Sequence, residues 1–541
     1  MSTNRRGVIL ILVLVVVAML ALASMTFCEL MLNERRAAET AGRQARARSL
    51  AQSGAEVARQ FLDRAPDDQL DAGGLYDNSQ RFGHTVAAPD PTPQQSGYFS
   101  VIAPKYENNS ITGVRYGLQD ESMRINLNTL LAMDSSSTGG AAAGGTASSS
   151  SGPNPTAKAT LMALPNMTDE IADAILDWLD ADDTPRDNGA ESDYYGSLTP
   201  PYAARNGPIQ SIDELLLVRG VTPQLLYGLD AAPMGLVDAS TGDPMAGVDN
   251  SDGSMDHGWA AYFTLYSAET TLKSDGTQKI NLNGNDLQQL YSDLQNALDE
   301  NSAMFIVLYR NGGVKTTGNT TGQSSANTVS VSSVANQVNI SALKASVQLT
   351  SVLDLIGATA TYTPAAGTGT QGQRTTPRQI IVKSPFTEGT MASDLPKLME
   401  NTTTSTAQTI QGRININQAP RPVLLCIPGM TADLADQIIA KRIEDPKNDS
   451  QDHRYETWPL SEGIVPLTTM KSMLPFVTAG GSVYRAQILG SFEGGGPTAR
   501  LEVILDASNT PTKVLFWKDM SRLPTGFTVE SAARAAATNN P

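Results

Sequence analysis

The 541-residue sequence is poor in the side chains that do chemistry. Its three histidines, His84, His257 and His453, are scattered, which nearly removes histidine-based catalysis. Its two cysteines, Cys28 and Cys426, lie far apart and Cys28 ends an apolar run, so neither a disulfide framework nor a zinc spacing is readable. No Gly-x-Ser-x-Gly elbow, P-loop or dinucleotide fingerprint stands where its structural context would require it, and no enzyme is expected. Positive charge is also short: 39 Lys and Arg against 55 Asp and Glu give a net charge of −16. That balance repels phosphate backbones and argues against nucleic acid as a partner. Charged residues are 17% of the chain and hydrophobic ones 40%, which excludes wholesale disorder. With 45 Gly and 30 Pro, the chain reads as several packed units of roughly 150 residues or fewer, joined by long connections.

What is abundant comes first. Arg5 and Arg6 precede Gly7, and Val8 to Phe27 is almost unbroken apolar sequence. About 20 helical residues span roughly 30 Å, the thickness of a bilayer core. The arginines place the short N-terminus in the cytoplasm and export the rest. Glu29 to Arg64 continues without Pro and keeps Leu50, Ala51, Ala55, Val57, Ala58, Phe61 and Leu62 at helical spacing, so one helix is expected over 8–64. A plain signal anchor and a secretory peptide cleaved after Ala21-Leu22-Ala23 are the alternatives, the latter giving a mature chain from Ser24.

Beyond a turn-rich connection from Pro66 to Pro93, strands are expected at Gly97 to Pro104 and Ile111 to Leu118. The segments at 482–492, 499–505 and 513–518 alternate in period two and read as a C-terminal antiparallel meander over 482–520. Residues after Thr525 read as a frayed tail. Between these blocks, Leu161 to Leu179 reads as two helices around a turn, with Thr168 as cap and Ile171, Ala174, Ile175 and Trp178 on one face. Ser211 to Asp230 reads as a second hairpin, with Ser211 and Glu214 as a capping box and Gly220 as the stop. The stretch Asp134 to Thr156 is low in complexity, and Asn311 to Asn327 and Gly357 to Thr376 read as loops in a middle α/β region over 255–411. The overall expectation is an α+β chain with an all-α insertion at 157–232.

Self-comparison exposes a repeat. Arg124-Ile-Asn-Leu-Asn128 recurs as Lys279-Ile-Asn-Leu-Asn283 and as Arg413-Ile-Asn-Ile-Asn417, and Leu164-Pro-Asn-Met-Thr168 recurs as Ile427-Pro-Gly-Met-Thr431. A module used at least twice, over 124–230 and 412–478, leads from a strand ending in Asn into a helix pair, and a structural role for the asparagines follows from their capping chemistry. The Pro-x-Met turns look like helix-hairpin-helix units, but the Gly-x-Gly turn is absent and Asp169, Glu170 and Asp173 flank the first.

The acidic run Asp177, Asp180, Asp182, Asp183, with Glu191 and Asp193 beyond it, is dense enough to fold several carboxylates onto one calcium ion, which takes six to eight oxygens. A solvated acidic loop is the alternative. Asp249 to Asp256 is a second Asp/Gly loop, lacking the glutamate of an EF-hand.

A basic leader ending in Gly7 and an apolar helix running on into a polar half resemble the type IV prepilin and pseudopilin pattern. That resemblance implies cutting between Gly7 and Val8 by a prepilin peptidase. The fifth residue of the cut chain, usually glutamate, is here Leu12, and apolar residues there, with an acidic helical insertion like Leu176 to Tyr195, are similar to the minor pseudopilin K family of type II secretion. The resemblance covers the N-terminal helix, Arg124 to Asp230 and Arg413 to Lys518. It implies a pilin-like antiparallel sheet with an inserted helical-hairpin (SAM/HhH-like) domain, calcium at the acidic loop, filament packing through the Leu12 region, partnership with minor pseudopilins I and J and with H, and single-pass anchoring in the bacterial inner membrane with the C-terminal domain in the periplasm. It also implies a place at the filament tip, since an apolar residue at Leu12 needs no subunit ahead of it to pair with. A membrane-anchored DNA receptor and a signal-cleaved secreted binding protein are the rival functions.

Overall fold

The computed structural model describes residues 5–107, 110–132, 156–228, 258–314, 328–363, 379–449 and 453–521. Helix α1, Arg5–Leu62, runs 58 residues, about 87 Å at 1.5 Å per residue, with no proline to break it. Its two halves live in different surroundings. Every large apolar side chain from Leu10 to Leu32 is exposed, and this stretch is long and apolar enough to cross a membrane. From Ala47 onward the helix buries Ala47, Leu50, Ala51, Ala55, Ala58, Phe61 and Leu62 against a sheet. Val57, expected in that stripe, is only half-buried. Gly54 lets the helix sit close, because a Cβ there would stand 2.7 Å from Ile488 and 2.8 Å from Phe99.

The connection after α1 is more ordered than its turn signals imply. It forms short helices Pro66–Asp71 and Ser79–Phe82 and a strand Thr85–Ala88. Phe82 plugs the end of α1, edge-on to Phe61 with ring centroids 5.4 Å apart.

The sheet is antiparallel, in the order Thr85–Ala88, Gly97–Glu107, Val483–Phe492, Ala499–Asp506, Lys513–Asp519. Ser110–Tyr116 adds to the second strand and Gln119–Asp120 to the third. The N-terminal hairpin and the C-terminal meander are therefore one sheet, joined by pairs such as Gln487 with Ile102. Everything between Asp120 and Val483 is inserted between neighbouring strands.

Within that insertion the asparagine repeat is used three times. Ile125–Asn126 pairs in parallel with Phe263–Thr264, Ile280–Asn281 with Thr402–Thr403, and Ile414–Asn415 with Val477–Thr478. In each copy the first Asn accepts from the amide two residues on, at 3.1, 2.9 and 2.9 Å. The second Asn reaches across the module: Asn128 donates to Ile209 O, Asn283 to Leu349 O and Thr404 O, and Asn417 to His453 O and Ala479 O. Each copy then carries a helix pair: Thr156–Met162 with Asp169–Leu179, Leu287–Ala297 with Glu300–Gly312, and Arg421–Leu425 with Ala432–Lys441. The turn residues Asn166 and Gly429 hold matching left-handed φ of +57° and +85°. The three modules share one hydrophobic core, separate from that under α1.

Several expectations are corrected. The middle region is a third copy of the module, enlarged by a sheet of Gly313–Val314, Thr328–Val329, Thr359–Tyr362 and Ile380–Lys383. The stretches read as loops at 311–327 and 357–376 thus hold the end of the helix Glu300–Gly312 and the strands Gly313–Val314 and Thr359–Tyr362, and 315–327 and 364–376 lie outside the described residues. Ser211 and Glu214 do not close a capping box: Ser211 Oγ accepts from Asp213 N, while Glu214 accepts from Gln210 N through Oε1 and pairs with Arg205 through Oε2 at 3.5 Å. The segment there is a 3₁₀ helix, Ile212–Leu217, not an α-helix. The helix Asp169–Leu179 is buried all round from Ile171 to Leu179, not on one face. The loop Asp249 to Asp256, the run at 134–155 and the tail after Thr525 lie outside the described residues.

Candidate functional site

Thr168 caps the helix Asp169–Leu179 by accepting from Ile171 N, and Asp173 and Asp177 follow one turn apart on it. Both are buried inside the first module, where a carboxylate needs a partner. Asp173 has one: Lys158 Nζ at 2.9 Å, with Asn188 N and Nδ2 each at 3.3 Å.

Asp177 faces the loop that returns over the helix. Arg186 Nη1 lies 2.6 Å from Asp177 Oδ1 and 2.5 Å from Asp180 Oδ2, and the Arg186 backbone amide also points at Asp177. Glu191 comes in from the far end of the loop, 3% exposed, and neither of its carboxylate oxygens has a partner. Asp180 Oδ1 is equally orphaned. One ligand atom each from Asp177, Asp180 and Glu191 lies within 4.8 Å of the others. Three carboxylates thus face one guanidinium.

The electrostatic consequence is direct. Burial, followed by Asp177, Asp180, Asp183 and Asp182, pushes the Glu191 carboxyl up to about 7. Burial also raises Asp177 and Asp180 above the ordinary carboxylate range, against the pull of Arg186. The loop is shaped to hold these groups together: a Cβ on Gly189 would overlap Asp177 Oδ2, so any side chain there must push that buried, paired carboxylate aside. These donors suit a hard cation, since orphaned buried oxygens from two carboxylates, Glu191 and Asp180, remain beside a single guanidinium that does not satisfy them.

Of the six carboxylates singled out in the sequence, Asp177, Asp180 and Glu191 come together. Asp182, Asp183 and Asp193 are exposed. Asp182 Oδ1 accepts from Thr184 N, Asp183 Oδ1 accepts from Ser192 N and Asn206 Nδ2, and so both build the loop's turns. Sequence reasoning missed Arg186, the closeness of Gly189 to Asp177, and the Lys158–Asp173 pair. The signal for the first two was present as an arginine and a glycine inside an acidic run. Asn206 (φ +47°) also belongs, donating to Asp182 O while its Oδ1 is buried without a partner.

At the N-terminus, Gly7 and Val8 lie in the first turns of α1, and Leu12 is 62% exposed.

Comparison with known proteins gives three findings. Residues 123–231, which contain the whole carboxylate nest, match the family model for type II secretion system protein K. Type II secretion system protein K of Pectobacterium carotovorum is 42% identical over 57 residues, and that of Aeromonas hydrophila 47% over 57, in each case 10% of this chain and 17% of the relative's own length. The chain therefore matches about a sixth of these relatives. A crystal structure of the GspK–GspI–GspJ complex from enterotoxigenic Escherichia coli aligns over 90% of this chain and 98% of that one, at 12% identity and a TM-score of 0.35.

Proposed function

We propose that this chain, whose residues 123–231 belong to the type II secretion system protein K family, is a minor pseudopilin that caps the tip of a secretion filament and takes part in protein export across the outer membrane. The observation that carries this reading is the division of α1. Its first half presents apolar side chains from Leu10 to Leu32 to the surroundings, and its second half is seated on the sheet that bears the whole insertion. Such a helix serves two media in turn: lipid before extraction, and the apolar faces of neighbouring subunits' helices afterwards. The head is bulky, three modules between adjacent strands, and would collide with itself if repeated closely along a thin fibre. One place without a subunit above is the tip. An exposed Leu12 agrees, because a carboxylate at that depth would need a partner amine.

In this reading the leader is removed between Gly7 and Val8 by a prepilin peptidase, the protein begins as a single-pass inner-membrane protein with its head in the periplasm, and its partners are the minor pseudopilins I and J, with H below them. The role is mechanical and needs no reaction chemistry. Calcium belongs to the head. Asp177, Asp180 and Glu191 would hold it, and when bound it supplies the positive charge that the nest lacks. The chain's own part is to bring the far end of the loop, at Glu191, back over Asp177 so that the surface formed by 180–206 has one shape.

N-terminal sequencing of the protein from its host separates the readings: a chain beginning at Val8 supports the pseudopilin, one beginning at Ser24 a secreted protein, and an uncut chain a plain anchor. Deletion is expected to stop export of the system's cargo. Normal export without the protein, or the head found at regular intervals down the filament, overturns the tip role.

A further inference from the structure

The nest contains a cation already, and its placement has consequences for how an ion enters. Arg186 bridges Asp177 and Asp180 with one nitrogen, yet makes no bond to Glu191. The Asp177 side chain is fully buried behind it, whereas the Arg186 side chain is 29% exposed and lies at the mouth. Its backbone amide holds Asp177 independently, so the loop stays anchored if the guanidinium leaves.

The module itself does not require these charges. Nine residues beyond the capping residue of the second helix, Thr168 is followed by Asp177, but Asp299 by Leu308 and Thr431 by Ala440. Two of three copies put an apolar side chain where the first buries a carboxylate. The nest is therefore an addition to the scaffold, held together by Arg186 at the cost of leaving Glu191 bare.

We propose that Arg186 is the resident counter-ion of the ion-free nest, and that a divalent cation enters by displacing its guanidinium from Asp177 and Asp180. The proposal rests on the ion-binding reading above. A singly charged guanidinium satisfies two of three carboxylates, while a divalent ion held among all three also takes up the orphaned oxygens of Glu191. Arg186 thereby sets the affinity: it stabilises the loop when the ion is scarce and competes with the ion for the same oxygens. The released guanidinium has solvent beside it, so its departure strands no charge in the interior.

The test uses the full chain in detergent, stripped with chelator, as wild type, Arg186→Gln and Arg186→Lys, titrated with calcium chloride by calorimetry and melted with and without calcium. Arg186→Gln is expected to bind calcium at least tenfold more tightly than wild type, to melt lower than wild type without the ion, and to gain more from its addition. Arg186→Lys, with one compact ammonium in place of the fork, is expected to fall between. Equal or weaker binding by Arg186→Gln would show that Arg186 supports the ion from behind, and would overturn the proposal. Absence of binding by wild type and both variants would remove the ion-binding reading itself, and the proposal with it. If Arg186→Gln folds only with calcium, the counter-ion role is supported directly; if it does not fold at all, the affinity of Arg186→Lys decides.

Discussion

Asp120 and Asn415 stand 295 residues apart and meet in the interior, where Asn415 Nδ2 donates to Asp120 Oδ2 at 2.8 Å. The same carboxylate accepts from Ser122 N and Gly481 N, so it ties the sheet's Gln119–Asp120 strand to the third module's strand at Asn415 and to the connection that leads from Thr478 back into the sheet. Removing one of three donors leaves a buried carboxylate under-satisfied. Asn415→Ala is expected to cost about 1–3 kcal/mol in urea unfolding, and Asn415→Asp more, because it sets two buried carboxylates face to face. A neutral result for both would mean that the sheet and the third module are not coupled through this bond.

The neighbouring side chain does the corresponding work for the first module. Glu121 is fully buried and meets Arg485 at 2.6 Å, Arg124 at 3.5 Å and the Thr264 hydroxyl. Burial raises its carboxyl, but the charges of Arg485 and Arg124 outweigh it and hold the group below its ordinary 4.5. A carboxyl depressed on folding contributes stability that is present above the unfolded value and is lost as pH falls through the folded one. Glu121→Gln is accordingly expected to cost about 3–5 kcal/mol at pH 7, and the gap to wild type should narrow steadily below pH about 4.5. A gap that stays constant down to pH 3 would rule out an ionised Glu121.

The middle copy should behave as a module in its own right. Asn283 accepts from Leu349 N at 2.9 Å and donates to Leu349 O and Thr404 O. Asn283→Ala should cost about 1–3 kcal/mol and speed hydrogen exchange at Leu349, leaving the amides of Asn128 and Asn417 protected as before. Spread of the effect to all three copies would show that they open as one unit.

Gly189 offers a test of the nest that removes none of its carboxylates. Any side chain there meets Asp177, so Gly189→Ala should displace the loop and abolish stabilisation by calcium. Wild type at a hundredfold excess over its dissociation constant should gain about 2.7 kcal/mol, read as a rise in melting temperature that chelator reverses. Equal gains in variant and wild type would place the ion elsewhere.

The parts legible in the sequence are those set by neighbours in sequence. The stripe from Leu50 to Leu62 predicts where α1 packs, and period-two alternation predicts the meander, because both follow from where successive side chains point. The asparagine repeat is visible in three places, yet the middle copy does not read as a module from its sequence. Its helix pair has Asp299 as cap where the others have threonine, and it lacks the Pro-x-Met turn. The capping box expected at Ser211 does not form, because Glu214 is drawn instead to Gln210 N and Arg205. At the candidate site, counting carboxylates found the loop but not which three converge, since Asp182 and Asp183 spend their oxygens on turns.

The amino-acid order alone determined that the chain begins in an apolar rod, that helical hairpins follow strands ending in Asn, and that one loop carries an excess of acid. Periodicity, capping and composition act over a few residues, and each is complete within its own segment. Only the tertiary structure decided that strands from the two ends of the chain form one sheet, that three modules are threaded between them, and that Arg186 stands among Asp177, Asp180 and Glu191 without reaching the last. Those outcomes depend on which buried groups meet across hundreds of residues, where the cost of leaving a charge or a hydrogen bond unmatched selects one arrangement from many.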